Sequence, residues 1–366
     1  MYADRRINRP RAEVGGPMDK RNKSAAGSAI RWAIAAAAIM IFFLYIPAPF
    51  LVYQPGLAES ADALVEAEAD KRQPEGDWLI TTVYMARSTN YWTAMQSLWR
   101  SDREVHSKSA VLKGSSTAEY ALRMNVLMEG SQSNAIEAAY RAAGIPYEQI
   151  PSGLLVARSG ETSVFRAGDR IVTIGGEPVM GAEEAIRILA QQTGATVPIE
   201  VLRGGERKPL AVSIASESNA SGIVPGQLPR LLGGVELTET RAIRPEDPAN
   251  RVAIDAGEVG GPSAGLLFGL YIYDLLTDGE LGGGQRIAAT GTVTRQGDVG
   301  AVGGIGMKVI AADRAGADMF IVPAGNDKEA RAKAQELGTD MRIAAVHTLQ
   351  EAIDFLAAAE AGGFTE

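Results

Sequence analysis

The sequence contains no cysteine and only two histidines, His106 and His347, among its 366 residues. The absence of cysteine excludes thiol nucleophiles, disulfide bonds and cysteine-ligated metal sites. The shortage of histidine argues against a Ser-His-Asp triad, and no His-Glu-x-x-His motif of a zinc protease occurs. Acidic residues are plentiful but show no ligand spacing, so we predict neither a metal nor another cofactor.

Positive charge is also in short supply, because the net charge is −8. This balance argues against a nucleic acid as the partner. No Gly-x-x-x-x-Gly-Lys-Ser/Thr phosphate loop occurs, so the sequence predicts no ATP hydrolysis within this chain. Apolar residues make up 46% of the chain, which is enough for two or three compact domains.

The N-terminal part combines a basic segment with an apolar one. Residues 1–28 are polar and basic and predict a disordered cytoplasmic tail. Residues 29–52 predict a single transmembrane or signal-anchor helix in the cell membrane, with everything after it extracytoplasmic. A buried helix and a cleaved signal peptide are the alternatives. Residues 53–129 then form a membrane-proximal region, which we expect to begin with a polar helix or linker and to contain a strand at 78–84.

Residues 130–216 read as a small α/β unit that resembles a PDZ domain. The stretch from Ala167 to Gly176, a turn, a strand and a tight turn, looks like the hallmark of that family. The resemblance implies that a loop captures the C-terminal carboxylate of a peptide while a strand edge accepts the peptide as an added strand. The residues implied for this loop are Gly153, Leu154, Leu155 and Val156. An unrelated small β-sandwich, or a PDZ fold used only for docking, are the alternatives. Residues 217–234 are rich in Ser, Gly and Pro and predict a linker.

The first feature with catalytic potential is Gly260-Gly-Pro-Ser263-Ala-Gly265, between a predicted strand at 251–255 and a predicted helix at 264–276. A serine at such a turn lies beside free backbone N–H groups and the positive end of the helix dipole, which stabilise an oxyanion. Gly261 allows a substrate backbone to approach closely, and Pro262 stiffens the turn. Alone, the pattern also fits an ordinary N-cap serine.

The second feature is Lys308, on a predicted helix over residues 304–312 that follows a predicted strand at 287–294. Its neighbours in sequence are apolar, so the amine can be desolvated, and burial lowers the pKa of a lysine. A neutral amine can take the proton of a serine hydroxyl and return it to a leaving group. The alternative is a lysine whose charged end reaches water.

Together these motifs resemble the Lon protease domain, in order and in spacing, with Ser263 and Lys308 separated by 45 positions. Thr290-Gly291 and Pro323-Ala-Gly-Asn326 belong to the same pattern. The finer resemblance is to the bacterial YlbL-like family, which couples a membrane anchor, a PDZ domain and a Lon-type domain. It implies Ser263 as nucleophile, Lys308 as general base and Thr290 as a supporting hydroxyl. It also implies supporting or oxyanion positions at Gly261, Pro262, Ala264, Gly303 and Gly304.

Two departures from the Lon pattern bear on the chemistry. The acidic residue that often precedes Gly-Pro-Ser is replaced by Gly260, and Glu258 is the nearest acid. The ATPase module of full Lon enzymes has no counterpart here, so substrates are expected to be unstructured or already loosened proteins or peptides.

The expected fold is therefore multi-domain α+β, with an N-terminal transmembrane helix, a PDZ-like domain and a C-terminal Lon-type proteolytic α/β domain at 235–360. The expected function is a membrane-anchored, ATP-independent serine endopeptidase that acts outside the cell membrane on substrates presented by the PDZ-like domain. A homo-oligomer is implied by family only, since Lon-type domains often form rings. The alternative is a non-catalytic, membrane-tethered PDZ adaptor with a Lon-like scaffold.

Overall fold

The computed structural model describes residues 18–68, 74–86, 89–160, 163–192, 196–214, 227–257, 259–277 and 279–360. Its helices are α1 (Met18–Tyr45), α2 (Tyr91–Ser97), α3 (Lys108–Leu112), α4 (Thr117–Ala142), α5 (Ala182–Gln191), α6 (Leu228–Leu231), α7 (Gly265–Leu276), α8 (Ile305–Arg314), α9 (Asp327–Leu337) and α10 (Leu349–Glu360). Its strands are β1 (Phe50–Ser60), β2 (Val65–Ala67), β3 (Asp77–Met85), β4 (Glu104–Ser107), β5 (Tyr147–Arg158), β6 (Arg170–Ile174), β7 (Glu177–Pro178), β8 (Thr196–Arg203), β9 (Glu206–Ser213), β10 (Glu236–Pro245), β11 (Val252–Ile254), β12 (Arg286–Ala289), β13 (Thr292–Val293), β14 (Val299–Gly300), β15 (Met319–Pro323) and β16 (Arg342–Val346).

The larger layered unit is built on a sheet with the strand order β16-β15-β12-β3-β1-β4. The four strands from β16 to β3 run parallel, and β1 is antiparallel to both of its neighbours. Alternate residues of a strand face opposite sides, so Trp78 and Ile80 pack against α4, α7 and α10. Leu79, between them, packs against α8 and α9 on the other face. The sheet is therefore buried on both sides, as parallel sheets usually are.

The second unit has its own antiparallel sheet, in the order β10-β5-β6-β8-β9, and its own core. Asp169 is fully buried in the turn before β6, where it accepts two hydrogen bonds of 2.7 Å from the Arg203 guanidinium. A buried carboxylate needs such a partner, because leaving it unpaired in the core is costly. This ion pair fixes the turn that the sequence identified as the PDZ hallmark.

Helix α4 is shared by the two units. It starts at a capping box formed by Ser116 and Glu119 and runs for 26 residues. It packs against α7 of the layered unit as well as β5 and β10 of the PDZ-like sheet. The sequence predicted a domain boundary at residue 130, which falls in the middle of this continuous helix.

The prediction that residues 29–52 form one membrane helix is corrected at its C-terminal end. Helix α1 ends at Tyr45, and β1 begins at Phe50. Pro47 and Pro49 explain the change, because proline cannot donate the backbone hydrogen bonds that would continue a helix. Leu51 and Val52 are fully buried in the sheet, so their apolar character serves a protein core. Within α1, residues Ser28–Tyr45 are long and apolar enough to cross a membrane, and none of them is buried.

The division of residues 53–129 from the folded domains is also corrected by the structure. Strands β1, β3 and β4 complete the large sheet, and β2 pairs with β11. The predicted strand at 78–84 is confirmed as part of β3, whereas the predicted polar helix or linker after residue 53 is strand β1. Short strands separated by irregular loops leave little periodic signal, so only the pairing with distant strands shows that this region belongs to the sheet.

Three further boundaries differ from the prediction. Helix α1 already begins at Met18, whereas residues 1–17 of the predicted tail lie outside the described residues. In the predicted linker at 217–234, α6 places Leu228 and Leu232 in the core of the PDZ-like unit. The protease domain was predicted to begin at residue 235, but strand β10 in this region pairs with β5 of the PDZ-like sheet. The two units therefore share segments at each junction.

The burial of β1 predicts a stability effect that a membrane segment would not show. Leu51→Ala should lower the free energy of unfolding by about 2 to 5 kcal/mol, because it opens a cavity in the core. The measurement is denaturant unfolding of the purified chain. Leu57→Ala is the matched control, because Leu57 lies on the same strand but is 69% exposed. Equal, small effects of the two substitutions would contradict the placement of β1 in the core.

Candidate active site

The turn that carries Ser263 is held from one side by α4. Gly261 has φ 90°, a conformation that favours glycine, and its N–H donates to the Met124 carbonyl at 3.0 Å. The Ser131 hydroxyl donates to the Pro262 carbonyl at 3.1 Å. A short 3₁₀ turn over Pro262–Ala264 then runs directly into α7. Ser263 is thus presented, half-buried, at the N-terminal end of a core helix.

Three oxygen atoms surround the Lys308 amine. Its Nζ lies 2.7 Å from Ser263 Oγ, 2.9 Å from Thr290 Oγ1 and 3.1 Å from the Thr81 carbonyl oxygen. Lys308 itself is only 3% exposed. The predicted desolvation of this lysine is therefore confirmed, and it does not reach water. Burial lowers the pKa of Lys308 from its usual 10.5 to about 7.

The hydrogen-bonding capacity of these oxygens can satisfy a neutral amine. A neutral lysine has two N–H donors and one lone pair, whereas an ammonium has three donors. The Thr81 carbonyl can only accept, and the Thr290 hydroxyl donates to the Ser263 carbonyl at 3.0 Å, which leaves its oxygen to accept from Lys308. The lone pair then remains for the hydroxyl proton of Ser263.

Thr290 reaches this position because the strand predicted at 287–294 is interrupted. Strand β12 ends at Ala289, and β13 starts at Thr292. Between them, the Thr290 N–H still donates to Ile321 of β15, while the Gly291 N–H donates to the Ser263 carbonyl at 2.8 Å. The break thus joins this segment to the Ser263 backbone, with the Thr290 hydroxyl beside Lys308.

A tight loop before α8 determines where this helix, and with it Lys308, begins. Gly304 caps the helix with φ 67°, and a Cβ at this position would lie 3.0 Å from Val83 of β3. One residue earlier, Gly303 borders open space. The buried Asn326 side chain holds the same loop through two hydrogen bonds to the Val302 backbone, of 2.9 and 3.0 Å. The sequence identified Asn326 as part of a motif but did not predict its structural role.

The structure brings together Ser263, Lys308 and Thr290, and it adds one group that the sequence missed. The Thr81 carbonyl has no sequence signal, because every residue carries one, and only the position of β3 beside α8 reveals it. Of the predicted oxyanion positions, Gly261 already uses its N–H with Met124, and Pro262 has none to offer. The N–H groups of Ser263 and Ala264 lie in the first helical turn, where N–H groups have no intrahelical partner. Glu258 lies outside the described residues.

Neither histidine takes the place of the lysine. His106 Nε2 lies 3.1 Å from Glu104 on β4, and its ring packs on Tyr53. His347 Nδ1 lies 3.3 Å from Glu351 at the start of α10. The hydrogen-bonding partner of Ser263 Oγ among the described residues is Lys308. Within that same part of the chain, no cluster of His, Asp and Glu has the arrangement of a metal site.

The peptide-binding residues predicted at 153–156 are not a free loop. They lie inside β5, with β10 paired along one edge and β6 along the other. The Val156 N–H donates to the Asp169 carbonyl at 2.8 Å, and Leu154, Leu155 and Val156 are buried. The prediction of a carboxylate-binding loop here is therefore wrong, because β10 occupies the edge that an added peptide strand needs. A peptide can pair with this part of β5 only if β10 leaves it.

Comparison with known families agrees with both folded units. Residues 251–358 match the Lon protease (S16) C-terminal proteolytic domain, and residues 165–203 match a PDZ domain. The predicted combination of a PDZ domain with a Lon-type proteolytic domain is thereby confirmed.

Individual relatives extend this likeness. Lon protease 2 of Borreliella burgdorferi is 36% identical over 96 residues, which cover 26% of this chain and 12% of that protein. Lon protease of Fusobacterium nucleatum is 41% identical over 83 residues, or 23% of this chain and 10% of that protein. Lon protease homolog 2, peroxisomal, of Homo sapiens is 34% identical over 139 residues, or 38% of this chain and 15% of that protein. The matched segments thus span only 10% to 15% of these relatives.

The low pKa of Lys308 predicts a pH dependence of stability. Between about pH 7 and the unfolded value near 10.4, the unfolded chain holds a proton that the native amine does not. The free energy of unfolding should therefore rise with pH in this window, by at most about 1.4 kcal/mol per pH unit. Urea unfolding across this range, for the native chain and for Lys308→Met, isolates the contribution. Parallel curves for the two proteins would show that Lys308 is not buried as a neutral amine.

Proposed function

We propose that this chain, whose C-terminal part is a Lon-type proteolytic domain, is a serine endopeptidase with Ser263 as nucleophile and Lys308 as general base. The observation that carries this proposal is the 2.7 Å approach of Lys308 Nζ to Ser263 Oγ in a buried site that lowers the pKa of the amine to about 7. A serine hydroxyl is a weak nucleophile until a nearby base accepts its proton, and a neutral lysine meets that need.

The reaction then follows from the hydrogen bonds. As Ser263 Oγ attacks the substrate carbonyl carbon, its proton passes to the lone pair of Lys308. The ammonium that forms is stabilised by the Thr81 carbonyl and the Thr290 hydroxyl, both within 3.1 Å. Lys308 next gives this proton to the amine that leaves. Water attacks the acyl-enzyme in the second half of the cycle, with Lys308 again as the base.

Negative charge develops on the substrate oxygen during each attack. We assign its stabilisation to the N–H groups of Ser263 and Ala264, at the positive end of α7. Gly303 borders open space in the loop before α8, which leaves room there for a substrate backbone. Of the residues predicted to support the oxyanion, we therefore assign Gly261 and Pro262 to the conformation of the turn and not to direct hydrogen bonding.

The substrates that fit this site are protein segments in extended, unfolded form. The sequence carries no phosphate loop for ATP hydrolysis, so the site works on chains that are already unstructured or loosened. We further propose that α1 anchors the chain in the cell membrane, with the basic residues before it in the cytoplasm and both folded units outside. The substrates are then extracytoplasmic proteins or peptides.

A non-catalytic PDZ adaptor is the competing function. Its binding edge would be β5, which β10 fills. An adaptor also has no use for a lysine that is buried without an acidic partner, since such burial costs stability. Both observations favour the peptidase.

The dyad predicts a pattern of activities in four variants. Ser263→Ala and Lys308→Ala should each abolish cleavage of an unfolded protein without ATP. Lys308→Arg should be equally inactive, because a guanidinium stays protonated and cannot act as a base. Lys328→Arg, the same change at an exposed position, should retain full activity. In the active proteins, kcat/KM should rise with pH through the Lys308 pKa of about 7. Undiminished cleavage by Lys308→Arg would disprove the dyad mechanism.

The orientation of α1 predicts which side of the membrane is open to attack. Protease added to spheroplasts should digest the segments after residue 46 and leave the N-terminal residues intact, because positive charge stays in the cytoplasm. The result is detected with separate tags at the two ends, before and after the membrane is permeabilised. Digestion of the N-terminal tag alone would reverse the orientation.

A further inference from the structure

Helix α2 presents an exposed apolar face that has no role in the proposed catalytic mechanism. Five large apolar side chains of α2 and of the two residues that follow it lie at positions that share one side of a helix, in a segment without a charged residue. They are Tyr91, Trp92, Met95, Leu98 and Trp99. We call these five residues the α2 patch. Ala94 and Ser97, on the opposite side, are buried against the protein, so the helix is seated on its small residues and turns its large ones outward.

The exposure of the α2 patch is unusual for a protein surface. Leu98 is 71% exposed and Trp99 is 76% exposed, and Trp92 is also open. Single apolar residues on a surface need no explanation, but adjacent tryptophans and leucine without intervening charge mark an interaction site. Tryptophan and tyrosine are also the residues that collect at the boundary between lipid and water.

The α2 patch is fixed to the end of α1 by Asn90. Its side-chain N–H donates to the Leu44 carbonyl at 2.7 Å, close to the C-terminal end of α1. Its side-chain oxygen accepts from the Thr93 N–H at 2.7 Å and caps α2. The Tyr91 ring stacks on Phe42 at 5.0 Å. One side chain thus joins both helix ends, and the aromatic surface of α1 continues into the α2 patch.

This connection determines the depth at which the α2 patch lies. The apolar part of α1, Ser28–Tyr45, has 18 residues. At a rise of about 1.5 Å per residue it spans about 27 Å, close to the roughly 30 Å of a hydrocarbon core. The end of α1 therefore coincides with the boundary between lipid tails and headgroups. Helix α2 starts at that boundary.

We propose that the α2 patch inserts into the outer headgroup region of the bilayer that α1 crosses, and so docks the catalytic sheet on the membrane surface. This inference rests on the proposed membrane anchoring by α1. Its consequence concerns substrates, because β1 follows α1, β4 follows α2, and both strands belong to the sheet that supplies the Thr81 carbonyl. The active site is then kept at a constant height above the bilayer, where membrane-tethered chains are favoured over free ones.

The four tryptophans of the chain allow a direct test. The full-length protein is placed in phosphatidylcholine nanodiscs whose acyl chains carry bromine either near the headgroup or near the terminal methyl group, and tryptophan quenching is measured. In Trp32→Phe, the remaining emission comes from Trp92, Trp99 and the buried Trp78. We expect quenching to be at least twice as strong with bromine near the headgroup. Adding Trp92→Phe and Trp99→Phe should abolish it, since Trp78 lies inside the core.

A double variant separates this inference from the anchoring on which it rests. Trp92→Phe with Trp99→Phe keeps Trp32 in α1, so its quenching reports on the anchor alone. Quenching in this double variant, together with no quenching in Trp32→Phe, would overturn docking while the anchor stands. No quenching in either would refute the anchor and the inference together.

A second copy of the chain is the competing occupant of the α2 patch. Efficient disulfide cross-linking of Leu98→Cys, in a chain that has no other cysteine, would also overturn docking.

Activity provides an independent readout. Leu98→Ser with Trp99→Ser should leave the cleavage of a soluble unfolded protein unchanged, because neither residue contacts the dyad. The same variant should cleave a substrate tethered in its own nanodisc several-fold more slowly than the native chain does. An equal rate on the tethered substrate would show that the α2 patch does not position the active site.

Discussion

A lysine amine enclosed among three oxygen atoms constrains everything around it. Burial favours the neutral form of the Lys308 amine, and two acceptors and one donor placed around that form satisfy its hydrogen bonds. Those three partners come from β3, from the interrupted strand at Thr290 and from the turn before α7. Each must be held to within a few tenths of an ångström, because a longer distance would lose the hydrogen bond. The fold can be understood as the scaffold that brings these three segments together.

Helix α4 accounts for much of that scaffold. Its Met124 carbonyl accepts a hydrogen bond from the Gly261 N–H, and its Ser131 hydroxyl donates to the Pro262 carbonyl. Further along the same helix, the fully buried Glu137 accepts hydrogen bonds from Tyr147 and Gln149 of β5. The catalytic turn and the PDZ-like sheet are therefore braced by the same helix. Strand β10 completes this arrangement, since it fills the edge of β5 and then continues through β11 to the catalytic turn.

The N-terminal part of the chain links the proposed anchor to catalysis. Strands β1 and β3 lie next to each other in the large sheet, and β3 supplies the Thr81 carbonyl to Lys308. Only four residues separate α1 from β1. The short connection and the Asn90 hydrogen bonds leave little freedom between the apolar helix and the catalytic sheet. The proposed anchor is thus joined through β1 to the strand that supplies a carbonyl oxygen to Lys308.

The sequence alone indicated the PDZ-like and Lon-type units and singled out Ser263 and Lys308, the two residues that we propose as the dyad. Ser263 and Lys308 stand in short motifs whose glycines and apolar neighbours are local signals, and the turn around Asp169 likewise identified the PDZ domain. Helices α7 and α8 were predictable for the same reason, because their apolar residues and glycine boundaries lie within a few turns. Tertiary structure decided what depends on distant partners. The pairing of β1 with β3, the filling of β5 by β10 and the carbonyl of Thr81 have no local signature, since any backbone can form them. The apolar residues Leu51 and Val52 show the limit most clearly: lipid and protein core are both apolar, and only the strand beside them determines which one they meet.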